Sequence, residues 1–369
     1  MKICHLTSVH KPEDIRIFFK ECTYLAQENH EVNLIAPSSN SYQKNSVKVH
    51  GISNNYTNRL DRFFRFSKRI LQKCEEIDAD IYHFHDPELI PVGKKLKKSG
   101  KVVFYDIHED VPRQILTKHW IPIYIRKIIS FSFEKYENYS VRFFDALICA
   151  TPYIRQRFHN LNPMVINVNN YPISFELFSN NNRLKNPPYL VSYIGGISES
   201  RGSYAMIKAI SKTDAILELA GNFQSDREET ELKKHEGWSS VNFYGFVGRE
   251  EIKNILNRSL AGLVVLEPKK NYVDSLPIKM FEYMAAGVCV IASNFPLWKE
   301  IIEGNNCGIC VDPLNVEEIA EAIQWVVDNP IEAQKMGENG RRAVEEKYNW
   351  ERESEKLIQL YNDLEKEIK

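Results

Sequence analysis

At 369 residues the chain is too long for one comfortable core and predicts two domains of about 180 residues each. Hydrophobic residues at 43% and charged residues at 26% are ordinary for a folded protein, and the longest uncharged apolar run, Met284 to Ala292, is too short for a membrane span. The net charge of −1 hides an uneven split: residues 1–180 carry 25 Lys and Arg against 19 Asp and Glu, the remainder 23 against 30, which suggests an anionic neighbour for the first half and excludes free nucleic acid as a partner.

Met1 leads straight into an apolar strand, Lys2 to Thr7, with no leader, so a cytosolic protein is expected. Seven scattered cysteines then read as reduced thiols. A helix around Arg16 to Asn29 and a strand from Glu31 to Pro37 complete a first parallel unit. The connecting loop, SVHKPEDIR, lacks the glycines of a dinucleotide fingerprint and places His10, Asp14 and Arg16 over the sheet's carboxyl edge. Residues 58–73, NRLDRFFRFSKRILQK, alternate cations with Leu and Phe; this is the composition of an interfacial helix or of a core-facing helix with a basic back. Strands Ile81 to Phe84 and Lys101 to Ile107 each end in a polar cluster, His85 and Asp86 in one, His108, Glu109 and Asp110 in the other, where open parallel sheets do their chemistry. The aromatic-rich stretch Ile121 to Phe144 has a density that also builds ordinary cores. Asn, Pro and Ser concentrate from Asn169 to Pro188 and mark the domain boundary.

A second alternating series follows. Strand Tyr189 to Ile194 turns at Gly195 and Gly196 and enters a helix near Gly202, with Arg201 placed to neutralise a phosphate held on converging amides. Strands Ala215 to Ala220 and Val241 to Tyr244 end at glycines, and the stretch DSLPIKMFEYMAAGVCVIASNFP, residues 274–296, organises the rest. It reads as a turn, a short helix lying as a lid on the sheet edge, a break at Gly287 and a strand. Asp274 and Glu282 can face one cavity there, where a ribose diol would suit a carboxylate; a helix start capped by Asp274 or Ser275, with Glu282 solvated, is the competing reading. Cys307 and Cys310 have the spacing of redox and zinc sites but no second pair nearby.

The acid, seven residues, Glu pattern ending in Ala-Ala-Gly resembles the donor site of retaining glycosyltransferases of family 4, with which ISESRG and YDIHEDVP also agree. The resemblance implies an α/β protein of GT-B fold, two Rossmann-like parallel-sheet domains facing a central cleft. They are expected at residues 1–170 and 189–347, with a linker at 171–188 and a last helix, 348–369, returning to the first domain. It implies a donor site of Gly195, Gly196, Arg201, Phe246, Val247, Asp274, Ile278, Lys279 and Glu282, with Phe246 and Val247 acting through main-chain atoms. His108 and Asp274 are the implied catalytic residues, and His10, Asp14, Arg16, His85 and Asp86 the acceptor-side candidates. No metal and no cofactor are expected beyond a nucleoside-diphosphate sugar as donor. The acceptor is expected to be a glycan or lipid-linked glycan in cell-surface polysaccharide synthesis, met at an anionic membrane surface on the cytoplasmic side. Asp274 replaces the family's usual Glu, and Pro277 removes an amide where many members have Gly. A GT-B epimerase or phosphorylase, or an inactive sugar-nucleotide-binding partner, are the alternatives.

Overall fold

A computed structural model describes residues 1–53, 65–118, 121–178 and 189–368. The chain divides into two units, Met1–Asn170 with Glu353–Lys369, and Tyr171–Arg352.

The first unit is built on an eight-stranded sheet: β1 (Lys2–Leu6), β2 (Glu31–Pro37), β3 (Tyr42–Lys44), β4 (Val47–Ile52), β5 (Ile81–Phe84), β6 (Val102–Ile107), β7 (Ala146–Cys149) and β8 (Val165–Asn167). Their order is β3-β4-β2-β1-β5-β6-β7-β8, parallel throughout except that β3 runs against β4. Helices cover both faces, so β1 and β5 are buried almost end to end, as apolar runs without alternation require. The order reverses direction between β1 and β5, and a ligand crevice is expected beyond the carboxyl ends at such a switch. From Glu353 onward the last helix, Trp350–Ile368, belongs to this unit; its Tyr361 is buried against Phe104 with ring centroids 5.1 Å apart.

The described part of the basic stretch takes the core-facing alternative. Of the basic stretch 58–73, residues 58–64 lie outside the described residues, while Phe66, Ile70 and Cys74 face the core from the following helix, Ser67–Ile77, leaving Lys68 and Arg69 as its basic back. The aromatic-rich stretch, by contrast, reaches the core at its ends, through Ile121, Val141 and Phe144, and not along its helix. Helix Ile123–Ser140 exposes Ile123 (73%), Tyr124 (78%), Ile128 (64%) and Phe131 (62%), because its inward face is small or polar, with Ser130, Glu137 and Ser140 as its buried residues.

The second unit carries β9 (Leu190–Ile194), β10 (Ile216–Ala220), β11 (Val241–Gly245), β12 (Ser259–Val264), β13 (Cys289–Ser293) and β14 (Gly308–Val311), all parallel in the order β11-β10-β9-β12-β13-β14. Its switch point falls between β9 and β12. Helix Ile278–Ala285 is not a lid: every residue from Lys279 to Ala285 is buried. A Cβ on Gly262 of β12 would lie 2.3 Å from the Tyr283 ring, so the missing side chain lets that helix settle onto the sheet, and helix Pro330–Glu346 covers its other side. All seven cysteines are free thiols, and burial pushes both Cys307 and Cys310 up to about 12, away from thiolate chemistry.

Candidate functional site

In the second unit the site begins where β9 runs out. Tyr193 Oη donates to the Gly196 carbonyl at 2.7 Å, Gly195 N–H to Ala220 O at 2.9 Å, and Gly221 N–H to Gly245 O at 2.7 Å, so three strand ends are stitched side by side. The backbones are too close for side chains: a Cβ on Gly221 would fall 1.8 Å from the Gly195 carbonyl oxygen, and Gly195 has φ of +128°. Two cations close over this turn. A methyl group on Gly195 would lie 3.0 Å from Lys279 Nζ, and one on Gly196 would lie 3.0 Å from Arg201 Nη1. Lys279 is buried, its ammonium 3.6 Å from the Tyr193 ring centroid and without a hydrogen-bond partner. Burial, with the Arg201 charge second, holds its pKa well below the usual lysine range, and Glu282 only partly offsets this. A buried lysine beside an arginine at a glycine turn is an arrangement that a bound diphosphate would stabilise.

Glu282 is buried one turn further along the same helix, and its Oε1 accepts from Arg249 Nη1 at 2.6 Å. Arg249 also forks onto Glu176 through Nε and Nη2, each at 2.7 Å. Glu282 is thus neither solvated nor a lone carboxylate; one oxygen is committed to a guanidinium. Asp274 is exposed beyond helix Lys270–Val273, and neither it nor Ser275 caps the next helix, which starts at Ile278 with Pro277 in the cap position and no side-chain cap bond. Ile278 is half-buried at that start, Phe246 is exposed just after β11, and Val247 packs on the core, partly buried.

Residues 174–343 match the family model described as glycosyl transferases group 1, and residues 17–167 match the model described as glycosyltransferase family 4. The chain belongs to glycosyltransferase family 4. A GDP-mannose-dependent monoacylated alpha-(1-6)-phosphatidylinositol monomannoside mannosyltransferase of Corynebacterium glutamicum is 29% identical over 170 residues, 43% of each chain. The chain spans about half the length of the curated relatives it matches. Among solved structures, sucrose-phosphate synthase of Thermosynechococcus elongatus superposes with a TM-score of 0.80 over 98% of both chains at 17% identity. HepE of Anabaena, in complex with UDP-glucose, gives 0.74 over 98% of this chain and 100% of its own at 13% identity. These likenesses establish the fold as GT-B.

The first unit of this family 4 protein gathers its polar residues at the β1/β5 switch. Asp86 accepts from Thr7 Oγ1 at 2.8 Å and Ser8 N at 2.6 Å, and His10 lies between Asp14 and Asp86, 3.4 Å from each. Burial disfavours the charged form of His10, yet the two carboxylates push its pKa up to about 10. Asp86 runs the other way: burial would raise it, and His10 with the Ser8 amide brings it to about 2.

Arg16 does not sit in an overhanging loop. It is buried on helix Ile15–Cys22, whose start Asp14 caps by accepting from Arg16 N and Ile17 N at 2.9 and 3.0 Å. Its guanidinium forks onto Asp106 at 3.1 and 3.0 Å and donates to Val168 O at 3.1 Å. His108 Nε2 lies 3.0 Å from Asp106 Oδ2 and 3.2 Å from His85 Nδ1, so this nitrogen faces inward and Nδ1 is left for a ligand. His85 is buried with both nitrogens engaged, by His108 and by His5. Of the residues expected on the acceptor side, His10 and Asp14 are partly open, as is His108, whose ring centroid is 5.6 Å from that of His10; Arg16, His85 and Asp86 form the wall behind them.

Proposed function

We propose that this chain transfers a sugar from a nucleoside-diphosphate sugar to a hydroxyl of a glycan or lipid-linked glycan, with retention of anomeric configuration. The observation that carries the reading is the pair Lys279 and Arg201 over the Gly195-Gly196 turn. As the bond from the anomeric carbon to the diphosphate breaks, negative charge grows on the leaving oxygen, and cations already fixed there lower the barrier without reorganising. Glu282 takes the ribose hydroxyls on the oxygen that Arg249 leaves, Phe246 and Val247 meet the base through main-chain atoms, and Asp274 meets the sugar. The relative with UDP-glucose bound and the GDP-mannose-dependent relative support the donor class. A thermal-shift panel of UDP, GDP, dTDP and CDP sugars tests it: one base family raises the unfolding midpoint by mass action, and no shift with any of them contradicts the reading.

His108 acts on the sugar rather than on the nucleotide. His108→Ala is expected to lower kcat about tenfold or more while donor affinity stays within about twofold, since a hydrogen bond to the reacting group is lost and the second unit is untouched. Equal losses in kcat and donor affinity would remove that role.

We place the protein on the cytoplasmic face of an anionic membrane, docked by helix Ile123–Ser140. No helix among the described residues is long and apolar enough to cross a membrane. The exposed Ile123, Tyr124, Ile128 and Phe131 are interleaved with exposed Lys127 and Lys135, while the helix's two acids turn inward, Glu134 to Arg113 at 2.6 Å and Glu137 to Arg157 at 2.6 Å. That is the face of an interfacial helix. Changing Ile128 and Phe131 together to Glu should cost about 3 kcal/mol, roughly 100-fold, in affinity for vesicles containing phosphatidylserine. Donor affinity should not change. Parent protein that stays off those vesicles at low salt would refute the docking.

A further inference from the structure

Behind the His108 wall lies a group of side chains that the proposed transfer does not use. His5 of β1, His83 and His85 at β5 and Glu21 of helix Ile15–Cys22 are all buried, and their ligand-type atoms lie within 4.8 Å of one another. We propose that these four residues form a closed, four-coordinate site for a divalent first-row transition metal, with zinc the ion that fits best. This goes against the expectation of a metal-free chain and does not depend on the donor site.

The distances decide between a metal and a water. Glu21 Oε2 is 3.9 Å from His5 Nδ1, 3.9 Å from His83 Nε2 and 4.0 Å from His85 Nε2, nearly equidistant from three imidazoles. His5 Nδ1 and His85 Nε2 are 3.0 Å apart. A regular tetrahedron built on the three Glu21 edges of about 3.9 Å would have its centre about 2.4 Å from each corner, closer to a zinc bond of about 2.1 Å than to a water hydrogen bond of about 2.8 Å. Contraction by a few tenths of an ångström would complete the coordination. Both Glu21 oxygens and His83 Nε2 lack hydrogen-bond partners. Buried carboxylates and imidazoles are seldom left so.

Two of the three histidines have the surroundings that metal ligands need, while His5 Nε2 is buried without a partner. A ligating histidine is normally held by a partner on its other nitrogen. His83 Nδ1 shares a 2.8 Å hydrogen bond with Tyr361 Oη, and His85 Nδ1 lies 3.3 Å from Asp106 Oδ2. Glu21 Oε1 is 2.9 Å from Arg16 Nε, whose N–H is aimed at Asp106 instead. The wide π-turn of helix Ile15–Cys22 brings residues five apart, Arg16 and Glu21, onto one side. The neighbouring set of Glu21, His85, Asp106 and His108 is a poorer candidate, because the Arg16 fork occupies both Asp106 oxygens. Three histidines and a carboxylate with no open position make a structural site that ties β1, β5 and helix Ile15–Cys22 together, and burial means that the ion enters as the chain folds.

The test is metal content of the full chain, expressed in medium supplemented with zinc and separately with cobalt, and washed with EDTA after folding. One zinc per chain, and for the cobalt protein the intense visible bands of tetrahedral Co²⁺, are expected. Glu21→Gln and His83→Gln should each lower the retained metal at least tenfold, with circular dichroism showing that the variant folds. Less than about 0.1 metal per parent chain would mean a hydrogen-bonded polar core only, and metal retained equally by folded Glu21→Gln protein would place the ion elsewhere; either result overturns the proposal. If neither variant folds, octahedral cobalt bands from the parent overturn it and tetrahedral ones uphold it.

Discussion

Lys279→Met is expected to weaken binding of the nucleoside diphosphate by about 1.5–3 kcal/mol, roughly 10- to 100-fold, while leaving the unfolding midpoint at or above that of the parent. The two directions follow from one fact. In the free protein the Lys279 amine is buried beside Arg201 without a hydrogen-bond partner, so removing it relieves the cost of an unsatisfied buried polar group. With a diphosphate on the Gly195-Gly196 turn the same group gains two charged oxygens, and its loss is felt only there. Affinity for the free nucleoside should not change. The pH dependence has a definite sign: binding restores a lysine pKa that burial has lowered, so the complex takes up a proton. Affinity therefore falls as pH rises from the lowered pKa toward the ordinary value of about 10.4. Calorimetry in buffers of different ionisation enthalpy reads the proton directly. A variant that loses stability but keeps donor affinity would make Lys279 a packing residue.

The second large effect is on the fold of the first unit. Asp106→Ala removes the carboxylate that both arms of the Arg16 guanidinium grip, leaving an almost fully buried cation with the Val168 carbonyl and Glu21 beside it. Breaking one side of a buried pair costs about 3–5 kcal/mol, most of it the isolated charge, so urea unfolding should show a loss of that size. Adding Arg16→Met to Asp106→Ala should recover a large part of it. A single-variant loss below about 1 kcal/mol, or no recovery in the double variant, would show that Arg16 finds water or another partner.

Much of the proposed donor site can be read along the chain, because its parts are local: the glycine turn and Arg201 within one strand-to-helix connection, Lys279 and Glu282 within one helix. The alternation of apolar runs and helices likewise predicts two parallel sheets without ambiguity about strand type. What could not be read depends on long-range contact. Arg249 meets Glu282 and Glu176 across 33 and 73 residues, and no spacing links them. His5 and His83 stand inside apolar strands, where a period of two places them on a covered face but does not say what covers it; the answer is Glu21 and Tyr361. Helix 278–285 reads as one-sided from its pattern, but Gly262 beneath it makes room for the Tyr283 ring, and Gly337 in helix Pro330–Glu346 makes room for the Gly287 carbonyl just past the helix end. Helix Ile123–Ser140 is the reverse case. Its aromatics match a core in composition, and the positions of Ser130, Glu137 and Ser140 on the inner face become meaningful only once Pro112, Tyr105 and Arg157 are seen against them.

The most direct measurement is a crystal structure of the full chain with the nucleoside diphosphate that the thermal-shift panel selects. The diphosphate oxygens should lie about 3 Å from Lys279 Nζ and from the Arg201 guanidinium, over the Gly195 and Gly196 backbone, with the ribose hydroxyls on Glu282. A nucleotide bound with its phosphates away from both cations, or a Lys279 ammonium still without a hydrogen bond in the complex, would contradict the account.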